Sequence, residues 1–396
     1  SEIKFLLRSS MKILIVGDCN STYILEQSNW LKKDDNVELV DIFTTTSPNK
    51  KLDLSAFNKI LNYYSKIDFE ILAQFDNLAQ NIISNYILIQ EFKNIESYYD
   101  IIQVHFVDVG LISLVPHFRK IGKKIVLSIW GSDLLRSTIE QDYYRNILYE
   151  SADVITMTKN EFMINIFSSK YPTINIDKVV DVRYGADIFL VLKGIMESIS
   201  KLECKKILNI DQNKIIVTIG YNYFAEQRHL EVVDNILRNE NIKKHLPGIL
   251  FVLPLTYGVD KEYFNKVINY FNENNIDFIF FDKYLSKEQV CFIRYVSDIF
   301  IHLATTDDFC NSFREYMYAK NIIITGKWFP YDVLKDDGFY FRTVKRVEDI
   351  GEELSFVMDN YFAEKEKCEV NNDELLKYSD WSIIIKEWLQ IYKNLL

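Results

Sequence analysis

The stretch 299–329, IFIHLATTDDFCNSFREYMYAKNIIITGKWF, constrains the fold more than any other part of the chain. Its opening run, 299–304, is continuous and apolar, as expected of a short strand buried on both faces of a parallel sheet. A polar turn of Thr305, Thr306, Asp307 and Asp308 follows. The next segment places Phe313 and Met317 on one helical stripe, and 322–325 is a second apolar run. Strand, polar loop, helix and strand make a βαβ unit, whose ligands sit beyond the carboxyl ends of the strands. Asp307 and Glu315 stand eight residues apart, one on the loop and one about two turns along the helix. A free helix N-terminus there would also attract an anion. Taken alone, the same spacing fits a capped amphipathic helix with solvated acids.

The chain has 396 residues, enough for two domains of ordinary size. With 48% hydrophobic and 14% aromatic residues it can bury large cores, and only 12 Gly and 6 Pro leave little room for long disordered linkers. The net charge of −10 is shared by both halves, which argues against nonspecific nucleic-acid binding. Five cysteines, Cys19, Cys204, Cys291, Cys310 and Cys368, lack metal-type spacing and read as reduced thiols, hence a cytoplasmic location. No apolar run reaches transmembrane length and no signal-peptide core stands at the N-terminus. Residues 1–10 precede a plausible natural start at Met11 and read either as an upstream extension or as a non-native addition.

Taken in order, 12–16 is an apolar strand ending at Gly17, followed by Asp18, Cys19, Asn20 and Ser21, then a helix over 23–31 and a strand over 37–43. No G-x-G-x-x-G follows the first strand, so a dinucleotide site is disfavoured. Asn20 and Ser21 are candidate helix caps. Residues 54–98 read as two or more helices with an aromatic stripe. The strand 101–106 carries His105 near its carboxyl end. Arg119, Lys120, Lys123 and Lys124 form the most basic short patch, suited to a helix C-terminus or, more weakly, to anionic headgroups. The strand 125–129 then delivers Trp130, Gly131, Ser132 and Asp133. Further strands are expected at 152–157, 179–183, 214–219, 249–253 and 278–281. The last segment, WSIIIKEWLQIYKNLL, is an amphipathic helix suited to docking on protein, with a membrane surface as the alternative.

Four places, two on each side of residue 200, together resemble the retaining GT-B glycosyltransferases of the GT4-like group. Asp307, Phe309, Asn311 and Glu315 fall on that group's donor motif of two Glu separated by seven residues, with Asp in place of the first Glu. Trp130-Gly131-Ser132-Asp133 resembles its acceptor-side loop, and Tyr184-Gly185-Ala186-Asp187 the segment that closes its first domain. Gly220–Arg228 stands where the group has a G-R…K-G loop for the donor diphosphate; here Asn222 replaces the arginine, the lysine is missing and Arg228 remains. Gly220-Tyr221-Asn222 with His229 is also similar to the Gly-Asn-Ser loop of 4-acetamido-4,6-dideoxygalactose transferases.

The resemblance implies an α/β GT-B fold, two Rossmann-like domains facing across a cleft, with the first at 11–198, the second at 199–375 and a crossover helix at 376–396. It implies transfer of a sugar from a UDP-, GDP- or dTDP-linked nucleotide-sugar donor, with retention and without a metal or other cofactor. The acceptor would be a glycan, a lipid-linked saccharide or a protein in bacterial surface polysaccharide or glycoconjugate synthesis. Asp307 would approach the transferred sugar. Gly220, Asn222, Arg228, Tyr257, Lys283, Tyr284, Phe309, Asn311, Ser312 and Glu315 would bind donor. Asp18, Asn20, Trp130 and Ser132 would line the acceptor side. Peripheral contact with the inner membrane face and homo- or hetero-oligomers fit this picture. The alternatives are an inverting dideoxyamino-sugar transferase with His105 or Asp133 as base, a nucleotide-sugar epimerase, and a catalytically silent partner subunit.

Overall fold

The computed structural model describes residues 10–396; residues 1–9 lie outside it. The described residues divide into two compact units, 10–186 with 378–396, and 187–377. Each is a parallel sheet with helices on its faces.

The first unit's sheet contains β1 (Met11–Gly17), β2 (Val37–Thr44), β3 (Ile60–Asn62), β4 (Tyr99–His105), β5 (Gly122–Ser128), β6 (Val154–Met157) and β7 (Val179–Asp181), in the spatial order β3-β2-β1-β4-β5-β6-β7. Every pairing is parallel. Central strands are apolar throughout because both faces are covered: Ile13, Leu14, Ile15 and Val16 are wholly buried. β3 is a three-residue, half-buried edge strand inside the segment expected to be helical. The rest of that segment holds short helical turns and the long helix Asn77–Lys93, capped by Asp76, whose carboxylate accepts the Ala79 N–H at 2.8 Å.

The C-terminal helix Trp381–Leu395 packs on this first unit, and its apolar face is spent there rather than on a membrane. Trp381 Nε1 donates to Glu26 at 3.0 Å, Trp388 Nε1 to the Arg183 carbonyl at 3.0 Å, and the Tyr392 hydroxyl to Gln103. Gly185 is required here, since a Cβ would stand 2.4 Å from the Trp381 ring. The basic patch is tied down as well. Arg119 and Lys124 both reach Asp153, and Lys123 reaches the Leu396 main chain at 3.2 Å.

The second unit's sheet contains β8 (Ile215–Ile219), β9 (Ile249–Pro254), β10 (Phe278–Phe281), β11 (Ile299–His302), β12 (Ile322–Gly326) and β13 (Arg342–Val344), ordered β10-β9-β8-β11-β12-β13 and again parallel. The unit starts at Asp187, earlier than the boundary at 198/199 read from the sequence. The cause is packing of the helix Ile188–Ser198. Phe189 sits edge-on to Tyr318 at 5.9 Å, Lys193 pairs with Asp373 at 2.6 Å, and the Ile188 carbonyl faces the Cys291 thiol at 3.7 Å. The five cysteines are all free, and among the described residues no helix is long and apolar enough to cross a membrane.

Candidate functional site

In both sheets the strand order reverses direction at one place, between β1 and β4 in the first and between β8 and β11 in the second. Crevices beyond the carboxyl ends of strands at such switch points are where open α/β sheets bind ligands. Most of the candidate side chains lie at these two places.

In the second unit, β11 ends at His302, and the loop after it carries Asp307 to the start of the helix Asn311–Tyr318. Asp307 and Glu315 are only 8% and 5% exposed, so they are not a solvated helix face. Asp307 Oδ2 accepts the Cys310 N–H at 3.0 Å and the Tyr331 O–H, and lies 3.5 Å from His302 Nε2. Burial works to raise its pKa, yet His302, Tyr331 and the Cys310 amide hold it below the ordinary carboxylate value. Asp307 Oδ1 has no hydrogen-bond partner among the described residues. The His302 ring is fixed by stacking on Phe329 at 5.0 Å.

Glu315 repeats this one-sided arrangement. Its Oε2 accepts from Arg294 Nε at 2.9 Å, and Arg294 also donates to Tyr316 at 2.7 Å and Ser312 at 3.2 Å. Arg294 is buried, and Tyr316 and Glu315 outweigh the burial to keep it firmly charged. Glu315 Oε1, like Asp307 Oδ1, has no partner among the described residues. Phe309 between them is buried at φ 57°, a left-handed conformation uncommon for a bulky residue and most often kept at functional sites. Asn311 accepts from Arg314, whose guanidinium lies over the Phe309 ring at 5.0 Å.

His302, Asp307 and Cys310 also form a three-residue group whose ligand atoms lie within 4.8 Å of one another. Burial, and after it the Asp307 charge, pushes the Cys310 thiol pKa well up. Asp307 Oδ2 is already taken by two donors. In the trio the Asp307 carboxylate is thus anchored through Oδ2.

Beside it, the loop after β8 is joined to the β11 loop by the Thr305 N–H to Glu226 carbonyl bond at 2.9 Å. Gly220 has φ 63°, and a Cβ there would stand 2.8 Å from His229 Nε2. Asn222 closes the turn by accepting the Phe224 N–H at 3.0 Å. Arg228 begins the helix His229–Arg238, but Glu231 grips its guanidinium with both oxygens, each at 2.6 Å. The cation expected for a diphosphate is thus internally paired. Tyr257 is half exposed after β9. Lys283 and Tyr284 follow β10, two strands from the switch point, with Tyr284 84% exposed.

In the first unit, Asp18 and Asn20 do not cap the following helix. Asp18 accepts the Asn20 N–H at 2.9 Å and the Thr46 hydroxyl, while Asn20 bonds Thr46, Ser47 and Asn49. Ser21 holds the cap position without a side-chain bond. His105 Nδ1 lies 3.1 Å from the Tyr184 hydroxyl and 3.4 Å from Trp130 Nε1, and Tyr23 packs edge-on against both aromatics. Tyr23 went unnoticed in the sequence, where it is one tyrosine among 25. Asp133 binds the Trp130 and Val107 amides, one with each oxygen, at 2.9 and 3.0 Å. Burial raises its pKa to about 6. Ser132 is exposed next to it.

Burial pushes His105 down to about 3 and His229 down to about 4. Unfolded, both titrate near 6.5, so below that pH the unfolded chain binds protons the folded chain refuses. Stability from these groups therefore falls as pH drops from about 6.5 toward the folded values. Asp133 acts oppositely, losing stability as pH rises through about 6, but the two histidine shifts together are larger. Urea midpoints should be clearly lower at pH 5 than at pH 7. An equal or higher midpoint at pH 5 would count against neutral buried histidines.

No family profile matches the sequence, and no curated protein matches it. Solved structures do match over the full length. HepE of Anabaena, in complex with UDP and glucose, is 10% identical with a TM-score of 0.72, over 97% of this chain and 100% of that one. A UDP-forming α,α-trehalose-phosphate synthase from Burkholderia vietnamiensis is 12% identical with a TM-score of 0.73, over 98% and 97%. A glycosyltransferase from Rickettsia africae is 16% identical with a TM-score of 0.70, over 98% of each chain. The chain has the GT-B fold. At these identities the likeness establishes the GT-B architecture alone.

Proposed function

We propose that this GT-B chain is a glycosyltransferase that moves a sugar from a UDP-, GDP- or dTDP-linked donor to a glycan, lipid-linked or protein acceptor, with retention and without a metal. The observation that carries the reading is the pair of buried acids, Asp307 and Glu315, each anchored by one oxygen and without a partner at the other among the described residues. Such oxygens suit sugar hydroxyls and the positive charge that develops at an anomeric carbon. That HepE binds UDP and glucose favours a nucleotide sugar here. Retention is favoured over inversion because an inverting enzyme needs a base, and a good base has a pKa near the working pH. His105 at about 3 is too weak, and both oxygens of Asp133 face backbone amides. Synthesis of bacterial surface polysaccharide or glycoconjugate in the cytoplasm is the setting that fits such chemistry.

Calorimetry with UDP-glucose, GDP-mannose and a dTDP-hexose tests the reading, and one of the three should bind with the affinity unchanged by EDTA. Binding by none would overturn the reading. The pairing of Arg228 with Glu231 favours a second reading, a silent donor-binding subunit, and slow hydrolysis of the bound donor without acceptor would decide against it. Arg228→Ala should weaken donor binding by about 1 kcal/mol or less, because a guanidinium already neutralised on the surface contributes little. A loss above about 2 kcal/mol would mean that Arg228 leaves Glu231 for the diphosphate.

A further inference from the structure

The helix Asn77–Lys93 turns a mixed face to solvent, in which a stripe of large apolar side chains runs beside Asn77, Asn81 and Asn85. Leu88 and Phe92 are buried in the core, while Leu78, Ile82 and Tyr86, one turn apart on the outward stripe, are 70%, 60% and 63% exposed. The approach to the helix adds Phe69, Ile71 and Phe75, also exposed. No charged residue stands between Asp76 and Glu91. A contiguous run of exposed large apolar side chains on a helix face is a mark of an interaction surface. The helix is firmly held, by its Asp76 cap and by the Ser113 hydroxyl bonded to Asn85 at 2.9 Å.

We infer that this face packs against the same face of a second copy of the chain, helix on helix and antiparallel, about a two-fold axis near Ile82. Charge selects this occupant. Asp68, Glu70 and Asp76 stand exposed where the stripe begins, and Lys93 is exposed where it ends. Lys120 joins Lys93 there, since both act on His117. Glu91 points away from the stripe at about 100° per residue, and Glu96 lies past the helix end. Antiparallel pairing sets the acidic start of one copy over the basic end of the other, while the neutral middle faces itself without burying a charge. Leu78 then lies over Tyr86 of the second copy, an isologous contact in which each patch serves twice. An anionic bilayer is the poorer occupant, because three exposed acids outnumber Lys66 where the stripe begins and the helix itself carries no cation before Lys93. A 17-residue helix is about 25 Å long, which suits a small, dissociable interface.

Sedimentation equilibrium of the full chain between about 1 and about 100 µM tests this by mass action. The average mass should rise from 46.9 kDa toward twice that value. Ile82→Glu should keep the chain monomeric at every concentration with its melting temperature unchanged. Lys93→Glu should weaken the dimer about tenfold, and adding Glu70→Lys should restore it. A monomer throughout, or a dimer indifferent to Ile82→Glu, would overturn the inference. So would a monomer whose binding to neutral or anionic vesicles is abolished by Ile82→Glu, which would assign the face to lipid.

Discussion

Asp307→Asn is expected to lower kcat about 10²- to 10³-fold, the scale of removing one preorganised electrostatic contact at a reacting centre, while the donor KM changes little. Asn keeps the shape but gives up the negative charge that would face the anomeric carbon. Glu315→Gln should behave differently, chiefly raising the donor KM, because its unpartnered oxygen is suited to hydroxyls present in ground and transition states alike. Asp307→Glu discriminates further. The Tyr331 hydroxyl, the Cys310 amide and His302 converge on Oδ2 of the shorter acid. An added methylene would drive the carboxylate into the His302–Phe329 stack, so Asp307→Glu should stay as impaired as Asp307→Asn. Steady-state kinetics on the three variants provide the check. Unaltered kinetics from both Asp307→Asn and Glu315→Gln would leave the transferase reading without its main support.

The largest stability effect is expected at Arg294. Arg294→Met leaves Glu315 buried beside no cation, and breaking such a pair from one side costs about 3–5 kcal/mol. In a unit of this size that corresponds to a melting temperature lower by about 6–20 °C. Arg294→Met combined with Glu315→Leu should recover much of the loss, since removing both charges also removes their desolvation. Thermal unfolding of the single and double variants measures the coupling directly. A single variant as stable as the parent would mean that Glu315 is solvated after all.

Individual elements show why some features were legible in advance. The strands 12–16, 249–253 and 299–304 stood out because burial on both faces forces a continuous apolar run. The edge strand Ile60–Asn62 did not, because three half-buried residues carry no periodicity. Asp307 and Glu315 were found because they fall on the donor motif that the chain resembles, not from their spacing alone. Their anchors were not, because Arg294 and Tyr331 lie outside the motif, 21 residues before Glu315 and 24 after Asp307. An arginine between Ile293 and Tyr295, near Phe292 and Val296, was the available signal that a buried partner existed. Which carboxylate it would meet depends on how two helices pack.

By itself the sequence determined two parallel sheets, the order of their loops and the acids each loop delivers, because burial of a strand is a local property of composition. The resemblance already implied that the C-terminal helix crosses back to the first unit, whereas the tertiary structure alone decided that Ile188–Ser198 joins the second. It also decided that Arg228 is paired with Glu231, and that each of the two acids keeps one oxygen without a partner among the described residues. These outcomes follow from hydrogen bonds and packing between side chains brought together only by folding, and an apolar pattern along the chain does not encode partners.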